Sequence, residues 1–113
     1  MKHKRYAPVC LFTYNRLEET QQTIAALQNN LLAKESDLII YSDGFKNLID
    51  KQAVTNLRAY LMQISGFKSV ILRKSNYNKG LAQSVIEGVS EVLSTHKNII
   101  VLEDDLITSR NFL

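Results

Sequence analysis

The chain has 113 residues, 45% of them apolar and 22% charged, with a formal net charge of +3 and a sequence pI near 9.1. That is enough for one domain (residues 1–113) burying roughly two-thirds of its extended surface, and the balance excludes intrinsic disorder. The positive charge is too mild and scattered to argue for nucleic acid, and a lone cysteine, Cys10, excludes an intrachain disulfide and a cysteine zinc cluster.

The basic start Lys2-His3-Lys4-Arg5 precedes an apolar run that stops at Tyr14 without a small-residue cleavage site, so it reads as a solvated terminus rather than a signal peptide. No stretch approaches the ~18 to 20 apolar residues of a membrane span. The expected location is cytoplasmic, free or peripheral to a membrane. Pro8 to Tyr14 is nearly continuous strand-forming sequence and predicts a first buried strand that holds Cys10 as packing.

Asn15 is placed to cap a helix with Glu18 as its reciprocal partner, and Leu17, Ile24, Leu27 and Leu31 fall on one helical stripe. Ser36-Asp37 breaks the pattern. Leu38 to Tyr41 predicts a second strand, which leaves through Ser42-Asp43-Gly44. Val54, Leu57, Leu61 and Ile64 mark a second helix from about Leu48 to Ser65, closed by Gly66. Ser69 to Leu72 predicts a third strand with a polar, basic exit from Arg73 to Gly80. A third helix follows, with Leu81, Val85, Val89 and Val92 inward. Gly88 lies on that face, where it makes sense if the helix packs closely on the sheet.

Ile99 to Leu102 is a run of branched aliphatic residues, the pattern of a strand buried on both faces, and it ends in Glu103-Asp104-Asp105. Ser109 follows as a helix cap, with Phe112 and Leu113 as the first buried residues. The alternation of strands and helices predicts an α/β fold: a Rossmann-like open parallel sheet of about four strands with helices on both faces.

In such a sheet the strand exits share one edge. Thr13 to Arg16, Asp43, Arg73 to Gly80 and Glu103 to Asp105 therefore gather there, with Arg16, Lys46, Arg73, Lys74 and Lys79 as cations. Alternation along the strand sends Glu103 and Asp105 to one side and Asp104 to the other. The acidic triplet fits a divalent cation completed by phosphate oxygens, or equally a solvated acidic turn. Cations beside a carboxylate-held metal suit a diphosphate, and helix amino termini near Leu17 and Gly80 add oriented amide donors.

Four short motifs in order carry a resemblance: Thr13-Tyr14-Asn15-Arg16, Ser42-Asp43-Gly44, Asn78-Lys79-Gly80-Leu81 and Glu103-Asp104-Asp105. Together they resemble the nucleotide-binding half of family 2-type glycosyltransferases with the A fold. The closing run from Val101 to Leu106 is also similar to the acidic motif of N-acetylglucosaminyltransferases that initiate N-glycan branching.

The resemblance implies a nucleotide-diphosphate sugar as ligand and a metal-dependent sugar transfer. Asp43 would contact base or ribose. The loop holding Thr13 and Asn15 would wrap the nucleotide, with Arg16 near the phosphates and Asn78 and Gly80 beside them. Asp105 would hold Mn2+ or Mg2+, with Glu103 and Asp104 on ribose or water ligands; Glu103 stands where many members have aspartate. The family's acceptor pocket and catalytic base would lie beyond Leu113, so that this chain alone is an incomplete, inactive half domain. Such a half would expose sheet edge and core surface, which favours a homo-oligomer. A different class, a non-catalytic nucleotide-binding or interaction module, keeps the same fold. A receiver-type phosphoacceptor is set aside because it needs an acidic pair where this chain has Tyr14-Asn15-Arg16.

Overall fold

The computed structural model describes residues 6–104; the expected metal ligand Asp105, the cap at Ser109, and Phe112 and Leu113 lie outside the described residues. Chain order is β1 (Val9–Thr13), α1 (Leu17–Gln28), a 3-10 turn (Ala33–Glu35), β2 (Asp37–Ser42), α2 (Leu48–Leu61), β3 (Ser69–Lys74), α3 (Leu81–Leu93) and β4 (Ile100–Glu103). The strands are all parallel, in the spatial order β3-β2-β1-β4. The chain winds outward from β1 to β3, and α3 then carries it back to lay β4 on the far side of β1. The direction of winding reverses between β1 and β4, the place where open α/β sheets form a crevice at the strands' carboxyl ends.

Alternate residues of each strand serve opposite faces. Val9, Leu11, Leu38, Ile40 and Leu102 pack with Ile24 and Leu27 of α1 and Leu57 and Leu61 of α2. Cys10, Phe12 and Ile39 face the other way, onto Val92, Val85 and Val89 of α3. Helices thus cover both faces. Gly88 explains the close seat of α3: a Cβ there would lie 2.8 Å from Phe12 Cε1 and 3.1 Å from Tyr41 Cε2. Those two rings are stacked, with centroids 5.0 Å apart.

The structure corrects several expectations. β4 is not buried on both faces. Among the described residues it pairs only with β1, and Val101, on the α3 side, is 42% exposed. Among the described residues, α3 sits over Phe12 and Tyr41 rather than over that face of β4. Helix α1 ends at Gln28, and Leu31 is exposed. Asn30 turns the chain there, its side-chain oxygen accepting from the Leu32 N–H at 3.1 Å. The capping position of α1 falls on Arg16 with no side-chain cap bond, so Asn15 and Glu18 form no capping box. Asn15 instead donates to Asp50 Oδ1 at 3.3 Å, because its loop folds against the start of α2. Helix α2 ends at Leu61 rather than Ser65, and Leu81 is exposed rather than inward.

Candidate functional site

An open cleft of about 320 Å³ lies at the carboxyl edge of the sheet and spans the reversal point. Thr13, Asn15 and Arg16 line it from the exit of β1, Asp43 from β2, Asn78 and Gly80 from the approach to α3, and Glu103 and Asp104 from the end of β4. These are all the nucleotide-binding residues nominated from sequence; Arg73, Lys74 and Lys79, also expected at this edge, do not line the cleft. Phe12, Tyr14, Lys46, Leu81 and Ser84 complete the wall.

Asp43 is the keystone of that wall. It is almost fully buried, and its Oδ1 accepts from the backbone N–H of Gly44 and of Lys79, each at 2.9 Å. Its Oδ2 accepts from the N–H of Gly80 at 3.0 Å and from the Asn78 amide at 3.2 Å. A carboxylate offers about four acceptor directions, so this one is filled from within the protein. The resemblance implies a base or ribose contact for Asp43; its carboxylate binds the turn before α3. The same bonds engage the Gly80 amide, which sequence reading offered to a diphosphate. Gly80 holds φ at 81°, a left-handed conformation that glycine adopts without strain. Gly44 is equally constrained, since a Cβ on it would lie 2.6 Å from the Tyr77 carbonyl.

Two further clamps hold the floor. Arg58 of α2 reaches the ends of β2 and β3, donating to Ser42 Oγ at 2.8 Å and to the carbonyl oxygens of Ser42, Asp43 and Ser75. Burial lowers its pKa from the usual arginine range, against the raising effect of Asp43. Sequence reading missed Arg58; the signal was a cation one turn after Val54, beside the buried stripe of an amphipathic helix. Asp50, also missed, accepts from Tyr14 Oη at 2.7 Å and from Asn15, joining the β1 exit to α2. Burial, and then the bond to Asp50, raises the Tyr14 pKa above its ordinary value. Thr13 Oγ1 donates to the Tyr41 carbonyl at 3.0 Å, and Thr23 of α1 donates to the Asp104 carbonyl at 2.8 Å, fixing where the acidic turn begins.

The expected ring of cations divides. Arg16 and Lys46 line the cleft, whereas Arg73, Lys74 and Lys79 line a neighbouring cavity of about 230 Å³ on the α3 side of β2 and β3. There Lys79 Nζ meets Glu87 at 3.0 Å and Arg73 Nε meets Glu91 at 3.4 Å.

Glu103 and Asp104 supply carboxylate oxygens of the kind Mg2+ and Mn2+ prefer. Among the described residues no group of three or more Asp, Glu, His or Cys side chains is arranged to hold a metal ion. A cation at this turn would therefore draw its remaining oxygens from a phosphate ligand, water or Asp105.

The fold and the cleft define a class: an open parallel α/β sheet with helices on both faces and a polar crevice at its reversal point. No protein-family model matches the chain, and no curated protein matches it. Among the described residues no helix is long and apolar enough to cross a membrane.

Proposed function

We propose that the chain is the nucleotide-sugar-binding half of a metal-dependent glycosyltransferase of the A fold. The observation that carries this reading is the convergence of Arg16, Asp43 and the Glu103-Asp104 turn on one cleft. Its volume is in the lower part of the range of small-molecule sites.

In this reading the Thr13 to Arg16 loop wraps the nucleotide, and Arg16 and Lys46 meet the charge of the diphosphate. Asp43 contributes by shape, holding the wall formed by Asn78 and Gly80 in place before the ligand arrives. Asp105 would hold Mn2+ or Mg2+, with Glu103 and Asp104 on ribose or the metal's water ligands, and the metal would supply Lewis-acid stabilisation of the departing diphosphate. No residue of this chain is assigned as the base that deprotonates an acceptor.

Thermal unfolding with uridine or guanosine diphosphate, each with and without Mn2+, tests the reading. A ligand at a hundredfold excess over its Kd stabilises by about 2.7 kcal/mol, and here that gain is expected only when nucleotide and metal are both present. If neither nucleotide shifts the transition with Mn2+, the assignment fails. Binding of a nucleotide sugar with neither transfer nor hydrolysis would identify the non-catalytic module instead.

A further inference from the structure

The most exposed large apolar side chains of the described residues are adjacent: Leu48 is 80% and Ile49 88% exposed, in the first turn of α2. Phe45, also exposed, precedes them on the same segment. Tyr77, 64% exposed, lies beside it, because its backbone is pressed against Gly44. Each aromatic ring carries a lysine: Lys51 Nζ stands 5.9 Å from the Phe45 centroid, and Lys79 Nζ, already paired with Glu87, 5.7 Å from that of Tyr77. The single acid of residues 44–51, Asp50, is turned inward onto Tyr14 and Asn15. Segment 44–51 therefore presents aliphatic and aromatic groups with Lys46 and Lys51 and no outward carboxylate.

Side chains of this composition suit one kind of surface. Aliphatic groups enter the acyl boundary, aromatic rings settle at headgroup depth, and lysine tips extend to anionic phosphates. We infer that Phe45, Leu48, Ile49 and Tyr77 form a membrane-docking rim whose partner is an anionic lipid bilayer. Lys46 lines the cleft as well, so docking brings the cleft's mouth to the lipid surface. The inference shares Lys46 with the nucleotide reading and otherwise uses residues outside the cleft: Phe45, Leu48, Ile49, Lys51 and Tyr77.

The test is sedimentation of the full chain with phosphatidylcholine vesicles, with and without added phosphatidylserine. Binding is expected on the anionic vesicles and should weaken with salt. The double variant Leu48→Asp/Ile49→Asp should lose about tenfold or more of it. Lys51→Ala should lose about fivefold, the fold-change equivalent to about 1 kcal/mol per lysine at an anionic surface. None of the three positions contributes to the core, so both variants are expected to keep the wild-type fold. The chain contains no tryptophan, which makes Ile49→Trp a direct reporter: its emission should shift to the blue on anionic vesicles. No sedimentation and no shift would overturn the inference. So would unchanged binding by the double variant, or a wild-type dimer that this variant breaks, which would mean the rim covers a second copy.

Discussion

The cleft and the smaller cavity beside it share Asp43 and Ser84 as a common wall, yet they use their polar groups in opposite ways. In the smaller cavity charged side chains satisfy one another: Arg73 with Glu91, Lys79 with Glu87, and Tyr41 donating to Glu91 Oε1 at 2.8 Å. In the cleft the internal bonds run mostly between side chains and backbone around Asp43, while Lys46 and Glu103 form no ion pair among the described residues. Proximity of cations to a strand exit therefore does not locate an anion site; what matters is which charges are already answered. By that measure Lys46 and Glu103 in the cleft and Lys74 in the smaller cavity are charges without an ion pair among the described residues, while Arg73 and Lys79 are answered by Glu91 and Glu87.

The contrast can be broken most severely at Asp43. Asp43→Ala removes the acceptor for the N–H groups of Gly44, Lys79 and Gly80 and for the Asn78 amide. Leaving these near-buried donors unsatisfied should cost about 3 kcal/mol or more, read as a lower urea midpoint. Amide exchange at Lys79 and Gly80 should accelerate with it. An unchanged midpoint would mean that the clasp does not hold the wall.

The interior beneath the smaller cavity should respond to alkali. Burial, and then the charge of Glu91, pushes the Cys10 thiol from 9.0 up to about 12. Burial, and then the bond to Glu91, likewise raises the Tyr41 phenol. The folded protein keeps the Cys10 proton that the unfolded chain releases above pH 9.0, so this stabilisation is complete below that pH and is lost as pH rises toward about 12. The slope is about 1.4 kcal/mol per pH unit for each such proton. Cys10→Val should flatten the decline in a series of urea midpoints from neutral to alkaline pH.

The smallest effect is expected at the surface pairs. Arg73 and Glu91 are both more than half exposed, and Arg73→Ala should shift stability by about 1 kcal/mol or less. A larger loss would show that the second cavity is held together by its charges rather than by the packing beneath them.

The central strands were legible because β1 and β2 are buried on both faces, so Val9 to Phe12 and Leu38 to Ile40 leave almost no polar position to misread. β4 has the same kind of sequence with a different environment. An apolar run records what a strand contains, not whether a helix lies over it, and among the described residues the placement of α3 on Phe12 and Tyr41 decides that. The convergence of residues on the cleft followed from parallel topology alone. What Asp43 does there did not follow, because two of its four partners are backbone amides more than thirty residues away, and every residue type but proline supplies one. Asn15 was misread for a related reason: a local cap was visible in the sequence, whereas its long-range competitor, Asp50, belongs to another helix.

Gly88 has a consequence for the cleft that reaches beyond its own contacts. With no side chain between α3 and the Phe12–Tyr41 stack, the helix rests at its lowest height above the sheet, and its first turn carries Leu81 and Ser84 of the cleft lining. A methyl group at position 88 would act as a shim under a beam, lifting and tilting α3 so that the mouth widens at one end. The gauge of the crevice thus depends on an atom that is missing one to two turns along α3 from the residues that line it.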